Sequence, residues 1–255
     1  MLSKPVIKHL RSLHLKKFRE EEGLFLVEGP KMVKEVMSNP DWMVKEVFAT
    51  PEWKKPATTL PVRITEISAK ELEQISALQQ PNKVVALVEM PATVRKPVDA
   101  PLTGLFLLLD QIQDPGNLGT IIRIADWFGM SDVFCSPDTV DCFNPKVIQS
   151  TMGSLFRVKV HYLPLIDLLV KNSQAAQLPV YATQLDGSDI YTQKLERNGF
   201  IILGNESRGM NPVLRPFVTS SLFIPSNSKG YDGAESLNVA VATGIVCAEF
   251  FRQMR

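Results

Sequence analysis

One segment in the second half of the chain brings carboxylate, amide and guanidinium side chains together around a single turn. It is LDQIQDPGNLGTIIRIADWFG (109–129), in which Asp110 and Asp114 flank a turn that Pro115-Gly116 sharpens. Asn117 stands where we expect the N-cap of the following helix, and Arg123 lies six residues further on. Carboxylates, amides and guanidinium groups all bind hydroxyls and anions. Taken alone, a capped helix with a local salt bridge is the simpler interpretation.

A second segment, FIILGNESRGMNPVL (200–214), places an acid directly after an apolar strand. Glu206 is that acid, and Gly204 allows another backbone or a ligand to approach the strand end closely. The segment contains neither GxGxxG nor GK[ST], so the dinucleotide fingerprint and the phosphate-binding P-loop are absent. A nucleotide-dependent dehydrogenase is therefore disfavoured.

A third segment, IPSNSKGYDGAESLNVAVATGIVCAEFF (224–251), places Ser236 and Asn238 at the start of an otherwise apolar helix. A serine N-cap with a neighbouring asparagine that satisfies free amides is a sufficient explanation of this segment alone. Ligands of open parallel sheets bind beyond the carboxyl ends of the strands. Polar residues after three strands of one sheet therefore indicate a ligand site.

The second half alternates strands and helices, and its strands are nearly continuous apolar runs. Such runs indicate burial on both faces of a parallel sheet that is covered by helices, an α/β fold. The predicted strands are 105–109, 132–136, 156–160, 179–183, 200–204 and 221–225. The predicted helices are 118–128, 144–152, 165–172 and 237–254.

The first half is predicted to be a small α/β unit of its own. Its predicted elements are helices 4–19, 31–37 and 68–78 and strands 25–29, 44–50 and 83–90. Ser68 and Glu71 form the pattern of a capping box at the third helix. The proline-rich stretch PATVRKPVDAPLTG (91–104) reads as a linker, so we predict domains at 1–97 and 98–255.

Composition and charge exclude several classes of protein. The 255 residues are 45% hydrophobic with a net charge of +1, which excludes disordered, collagenous and coiled-coil chains. The first 19 residues nevertheless contain only basic charges, and such a patch attracts phosphate backbones. The candidates for contact with a phosphate backbone are Lys16, Lys17, Arg19 and Lys31. For any one lysine, a solvated charged surface is the alternative.

Cysteine, histidine and hydropathy point to an intracellular protein without a metal. The three cysteines form no CxxC pair, which is typical of a reduced, cytoplasmic compartment. The three histidines are too scattered for the usual zinc spacing. No apolar run approaches the roughly 18 residues of a membrane span, and the N-terminus lacks a secretory apolar core.

Together, the three polar segments resemble the three motifs of the SpoU (TrmH) family of RNA ribose 2′-O-methyltransferases, in the SPOUT class. They occur in family order and at about family spacing. DCFNPKVIQSTMGSLFRV (141–158) resembles the family's intermediate segment, so the resemblance covers 105–252 closely. The first 95 residues resemble the ribosomal-protein-like substrate-binding domain that many members carry.

The resemblance implies transfer of a methyl group from S-adenosylmethionine to a ribose 2′-hydroxyl. By resemblance, Arg123 takes the place of a general base. Because a guanidinium stays charged at neutral pH, we expect it to activate the hydroxyl electrostatically, with a neighbouring RNA phosphate as proton acceptor. The other matching active-site positions are Asn117, Glu206, Ser236 and Asn238, and we expect Glu206 to hold Arg123 by a bidentate pair.

The family binds its cofactor through main-chain groups, which correspond here to Gly204, Ile224 and Leu237. One departure is the long polar stretch SNSKGYDGAE between Pro225 and Ser236, where the family usually has a short glycine-containing link. The resemblance further implies a deep trefoil knot in the catalytic domain. It also implies a homodimer whose active site lies near the subunit interface.

Ribosomal RNA is the favoured substrate, because the additional N-terminal domain accompanies that substrate in relatives. A transfer-RNA 2′-O-methyltransferase is the close alternative. A non-catalytic RNA-binding ribosome assembly factor is the alternative from another class of protein. The joint presence of Asn117, Arg123, Glu206 and Asn238 argues against it.

Overall fold

A computed structural model describes residues 1–53, 62–91, 102–227 and 235–254. The chain divides into two compact units. Unit 1 comprises Met1–Ala92 and Asp141–Arg157, and unit 2 comprises Thr93–Val140 and Val158–Arg255. The predicted domain boundary after residue 97 lies outside the described residues.

The described residues form eight α-helices and ten strands in chain order. The helices are α1 (Lys4–Ser12), α2 (Lys16–Glu22), α3 (Pro30–Ser38), α4 (Ala69–Ile75), α5 (Pro115–Trp127), α6 (Pro145–Thr151), α7 (Leu165–Gln174) and α8 (Val239–Gln253). The strands are β1 (Leu24–Glu28), β2 (Val44–Ala49), β3 (Arg63–Glu66), β4 (Val84–Glu89), β5 (Leu105–Leu109), β6 (Asp132–Cys135), β7 (Lys159–Tyr162), β8 (Val180–Asp189), β9 (Gly199–Leu203) and β10 (Ser220–Phe223).

Unit 1 contains a four-stranded mixed sheet in the order β1-β4-β2-β3. β4 runs antiparallel to both of its neighbours, and β2 and β3 run parallel. Apolar side chains of α1 and α4 join those of the sheet in one core; those from the helices include Leu10, Leu72 and Ile75, and Leu13 adds to it directly after α1. The predicted capping box is confirmed, since the Ser68 hydroxyl accepts the Glu71 N–H and the Glu71 carboxylate accepts the Ser68 N–H.

Two local features of unit 1 differ from the sequence prediction. The single helix predicted over 4–19 is two helices, because the chain is extended at Leu15, the residue before α2. β3 was not predicted, since its exposed residues lack an alternating apolar pattern and it is held by pairing with β2. Tertiary pairing, rather than local preference, determines this strand.

Residues 141–157 pack with the N-terminal residues in unit 1, although they lie within the span predicted for the second domain. The Phe143 ring lies 4.6 Å from that of Phe25, and the Phe156 ring lies 5.2 Å from that of Trp42. The Asn39 side chain donates a hydrogen bond to the Phe156 carbonyl at 2.6 Å. α6 and its flanks therefore complete the apolar core of unit 1.

Unit 2 contains a six-stranded parallel sheet in the order β10-β8-β9-β5-β6-β7. All residues of β5 and β9 are buried, as the predicted apolar runs require. The predicted α/β class with a parallel sheet flanked by helices is confirmed. No helix among the described residues is long and apolar enough to cross a membrane.

Some boundaries in unit 2 differ from those predicted. The strand predicted over 156–160 begins at Lys159, because Ser154–Phe156 forms a 3-10 helix. β8 continues to Asp189, beyond its predicted apolar part, through pairing with β10.

Candidate active site

The first polar segment follows β5 and begins α5. The N-cap is Asp114, whose carboxylate accepts the Asn117 N–H at 2.8 Å, so the prediction of Asn117 as the N-cap was wrong. Pro115 is the first helical residue because its fixed φ suits that position and its missing N–H needs no partner there. Asn117 consequently lies in the first turn, where its carboxamide can bind other groups.

The Asn117 carboxamide connects all three polar segments. Its Nδ2 donates to Glu206 Oε1 at 2.7 Å, and its Oδ1 accepts from Asn238 Nδ2 at 2.9 Å. Asn238 is the N-cap of α8, and its own Oδ1 accepts the N–H groups of Ala240 and Val241. We call Glu206, Asn117 and Asn238 the amide network. Because all donor and acceptor assignments are mutually consistent, the network holds its three side chains in one arrangement.

The loop after β9 is held in place by Asn205, which the sequence analysis did not single out. Asn205 Oδ1 accepts the N–H groups of Ser207 and Arg208 at 3.0 Å, and Nδ2 donates to the Gln111 carbonyl at 2.9 Å. Its main chain also pairs with that of Gly209. Asn205 thus orders the residues on both sides of Glu206. An asparagine next to a glycine-containing turn was the available signal.

Gly204 is required by the fold of this same loop. A Cβ added there would lie 2.4 Å from the Met210 nitrogen and 2.5 Å from the Gly209 carbonyl carbon. The space in front of Gly204 is therefore filled by the protein's own main chain. The close approach predicted from the glycine is present, and its partner is the loop.

A buried carboxyl lies at the end of β5. Asp110 is 3% exposed, and its Oδ2 accepts the Asn211 N–H at 2.6 Å. Burial raises the pKa of this carboxyl and nearby Asp138 acts in the same direction, while the hydrogen bond from Asn211 opposes them. Asp110 thus joins the first polar segment to the loop of the second.

Arg123 lies on α5 outside the amide network. Its side chain is exposed and has no hydrogen bond or ion pair within the described residues. The expected Glu206–Arg123 pair was wrong, since Glu206 binds Asn117 instead. Six residues on a helix separate two positions by about 9 Å along the axis and place them on different faces, which explains why Asn117 and Arg123 do not share a partner.

The remaining predicted positions lie at the edges of the third segment. Ser236 is exposed and has no hydrogen bond within the described residues. Ile224 is partly buried and directly follows β10, and Leu237 is 48% exposed beside Asn238. Most of the long stretch between Pro225 and Ser236, residues 228–234, lies outside the described residues.

The positions predicted for the cofactor fit an adenosine-containing ligand. Ile224 and Leu237 are uncharged and apolar, and both lie outside regular elements, where main-chain groups are not used by a sheet or helix. Sites for such ligands combine apolar walls with a few main-chain hydrogen bonds. Within the described ranges, no group of three or more potential metal ligands occurs.

The four predicted RNA contacts fall into two kinds. Lys16 and Lys17 are exposed, each within 4 Å of a glutamate one helical turn further on, and Lys31 is exposed. Arg19 is a correction, because it is 2% exposed and its guanidinium donates to Asp141 Oδ2 at 2.6 Å. Its Nη1 also donates to main-chain carbonyls of unit 1, so it cannot reach RNA in this fold.

Comparisons with known proteins place this geometry in a family. A model of the SpoU rRNA methylase family matches residues 104–248, and a model of the MRM3-like substrate-binding domain matches residues 4–86. The chain is 33% identical to a 23S rRNA (guanosine(2553)-2′-O)-methyltransferase of Bacillus subtilis, over 94% of this chain and 93% of that protein.

Solved structures agree with this assignment. A TrmH-family protein from Porphyromonas gingivalis superposes with a TM-score of 0.86 at 36% identity, covering 99% of both chains. An rRNA methyltransferase from Sinorhizobium meliloti, solved with S-adenosylmethionine bound, gives a TM-score of 0.85 at 29% identity over 100% of this chain and 97% of that one. The resemblance stated from the sequence is confirmed, and the chain belongs to the SpoU rRNA methylase family.

Proposed function

We propose that this chain transfers a methyl group from S-adenosylmethionine to a ribose 2′-hydroxyl of ribosomal RNA. The observation that carries the proposal is the amide network, which joins the family's three motif segments through hydrogen bonds of 2.7 and 2.9 Å. The relatives support the reaction and the substrate class, since the B. subtilis protein is named as a 23S rRNA 2′-O-methyltransferase.

The reaction is an in-line displacement. The ribose oxygen forms a bond to the methyl carbon while the carbon–sulfur bond breaks, and the hydroxyl proton passes to a base. When bound, S-adenosylmethionine supplies the methyl group on a positively charged sulfur that leaves as a neutral thioether. The chain must therefore align the hydroxyl and lower the cost of removing its proton.

Glu206 and Asn117 are assigned to alignment. Glu206 Oε1 is occupied by Asn117, whereas Oε2 has no hydrogen bond within the described residues. Oε2 is thus available to accept a hydrogen bond from a ribose hydroxyl. Asn238 holds Asn117 from the other side, which fixes the orientation of the carboxamide.

Arg123 is assigned to activation of the hydroxyl. Because its guanidinium is exposed and unpaired within the described residues, its charge is available to stabilise a developing alkoxide. A guanidinium does not accept protons at neutral pH, so we assign the proton to a neighbouring RNA phosphate. Ser236 completes the site beside Asn238, and the main chain at Gly204, Ile224 and Leu237 is assigned to the cofactor.

We also propose a cytoplasmic homodimer whose catalytic domain, residues 98–255, contains the family's trefoil knot. Trp127 on α5 is 85% exposed and Val241 on α8 is 53% exposed, and these two helices pack against each other. Large exposed apolar side chains on adjacent helices favour burial against a second copy. Light scattering on Trp127→Glu tests this: a monomer supports the dimer proposal, and a wild-type chain that is already monomeric contradicts it.

The function is tested by methyl transfer. The purified chain is incubated with methyl-labelled S-adenosylmethionine and separate pools of unmodified ribosomal and transfer RNA, and the labelled nucleotide is identified after digestion. Arg123→Ala is compared with Arg197→Ala, an exposed arginine whose Nη2 donates to the Met254 carbonyl.

We expect label on a ribose of ribosomal RNA, lost in Arg123→Ala and retained in Arg197→Ala. Full turnover by Arg123→Lys would exclude a specific role of the guanidinium. Label in transfer RNA alone would replace the proposed substrate with the alternative one. Cofactor binding without transfer to either pool would support a non-catalytic RNA-binding protein instead.

A further inference from the structure

The first helix of unit 1 forms a pocket whose charged lining is entirely cationic. The pocket has a volume of about 360 Å³ and is lined by Lys4, Ile7, Lys8 and Arg11 of α1 and by Gln74 of α4. The pocket is a depression open to solvent, which suits a polymer lying along the surface rather than an enclosed small molecule. Its cations are distinct from the predicted RNA contacts on α2 and α3.

The three cations share one face of α1. Lys4, Lys8 and Arg11 are spaced by four and three residues, which places them one above the other on a helix, and all three are exposed. Like charges at this spacing destabilise a helix. Within the described residues none of the three has an acidic partner, so the repulsion is not relieved inside the protein.

Several other exposed cations of unit 1 have acids beside them, whereas Lys31, Lys34, Lys70 and Lys146 have no ion pair within the described residues. Lys45 Nζ lies 2.6 Å from a Glu89 oxygen, and Lys16 and Lys17 lie 3.7 and 3.8 Å from glutamates on their own helix. The α1 cations are distinguished by their clustering, since three of them share one helix face and line one pocket. Their charge is available to an anion that the protein does not itself provide.

α4 carries two acids, Glu71 and Glu73, and neither forms an ion pair with the α1 cations within the described residues. Glu71 of α4 accepts hydrogen bonds from the Ser68 N–H, the Ser68 hydroxyl and the Leu2 N–H. The backbone hydrogen bonds from Ser68 and Leu2 lower the pKa of Glu71 to about 2. The contact with Leu2 also ties the start of α1 to α4. Gln74 of α4 contributes an uncharged amide donor to the lining of the pocket.

We infer that this pocket binds the phosphate backbone of the substrate RNA. The inference rests on the proposed function, which supplies RNA as the polyanion, and on the match of residues 4–86 to a substrate-binding domain. Cations on a flexible stem with an amide beside them suit phosphate oxygens, which need charge but little directional precision. The pocket is thereby assigned to affinity for RNA, independent of base sequence.

The test uses the full chain and two triple variants with equal loss of charge. One is Lys4→Gln/Lys8→Gln/Arg11→Gln. The control is Lys45→Gln/Arg63→Gln/Arg157→Gln, which removes exposed cations of unit 1 that each have an acidic partner. Affinity for a fluorescein-labelled ribosomal RNA transcript is measured by anisotropy over a series of KCl concentrations. Cofactor affinity is measured by calorimetry, and folding by circular dichroism.

We expect the pocket variant to bind RNA at least about tenfold more weakly. Its log affinity should also fall less steeply with log salt, with the magnitude of the slope reduced by about 2–3 for the three lost contacts. Lys8→Gln alone should lower the slope by about 1. The control should change the slope little, and cofactor affinity should be unchanged in every variant.

Wild-type RNA binding and slope in the folded pocket variant would overturn the inference, and would leave the proposed function intact if methyl transfer occurs. Absence of both RNA binding and methyl transfer in the wild type would instead contradict the proposed function.

Discussion

The α1 pocket of unit 1 and the amide network of unit 2 use polar side chains in opposite ways. The pocket presents exposed cations with no acidic partner among the described residues. In the amide network, each side chain is fixed by a neighbour at 2.7–2.9 Å. Unpaired charge acts over a distance, tolerates imprecise geometry and is weakened by salt. A hydrogen-bonded network acts only in one geometry.

The difference suggests a division of labour, with affinity for RNA in unit 1 and alignment of the ribose in unit 2. Substitutions in the pocket should then change binding, and substitutions in the network should change the rate of transfer.

The largest effect is expected for Arg19, the one predicted RNA contact that is buried. Arg19→Gln leaves the carboxylate of Asp141 without its partner, which should lower the free energy of unfolding by about 3–5 kcal/mol. Lys45→Gln, which removes an exposed ion pair in the same unit, should cost less than about 1 kcal/mol. Equal denaturation midpoints for the two variants would contradict a structural role for Arg19.

The next largest effect is expected for the centre of the amide network. Asn117→Ala removes the links to both Glu206 and Asn238 and should lower the transfer rate at saturating RNA by about 100-fold. The matched control is Asn198→Ala, in which the lost side chain binds the Gly104 N–H at the amino ends of β5 and β9, opposite to the site. A control as slow as Asn117→Ala would show that general destabilisation causes the loss.

A smaller effect on stability is expected for Gly204. Gly204→Ala forces the main chain at Met210 and Gly209 to move, which should cost about 1–3 kcal/mol and weaken cofactor binding through displacement of the loop. Gly244→Ala is the control, because the nearest atom to its added Cβ lies at an ordinary contact distance of 3.8 Å. This substitution should raise the free energy of unfolding by about 0.4–1 kcal/mol, since alanine restricts the unfolded chain more than glycine does. Unchanged calorimetric cofactor affinity in Gly204→Ala would remove the assignment of this loop to the cofactor.

The smallest effect concerns the pH dependence of stability. A carboxyl whose pKa is raised in the folded state binds its proton more tightly there, so its contribution to stability is present at low pH. That contribution is lost as pH rises from the unfolded pKa through the folded pKa. Asp110→Asn, which keeps an acceptor for the Asn211 N–H, should therefore gain stability relative to wild type as pH rises through this range. Parallel stability–pH curves for the two chains would contradict the shift.

The sequence predicted best where one local signal was sufficient. The buried runs of β5 and β9 match the structure to within a residue, because burial on both faces leaves only apolar residues in such strands. The Ser68 capping box was predicted for the same reason, since both partners lie within one helical turn.

Prediction failed where a distant partner decided the outcome. Arg19 looks like part of a basic surface until Asp141, far along the chain, is placed beside it. Asn117 was predicted as the N-cap from its position after the turn. Its side-chain partners, Glu206 and Asn238, belong to the other two segments and leave no local signal. Residues 141–157 carry no local sign that they complete the core of unit 1. Contacts of this range follow from the fold and cannot be read from spacing alone.

Single-turnover methyl transfer over a range of RNA concentrations tests the division of labour most directly. The account predicts that Lys4→Gln/Lys8→Gln/Arg11→Gln raises the RNA concentration for half-maximal rate and keeps the maximal rate, whereas Asn117→Ala lowers the maximal rate and keeps that concentration. If both variants changed the same parameter, the separation of RNA affinity in unit 1 from ribose alignment in unit 2 would be contradicted.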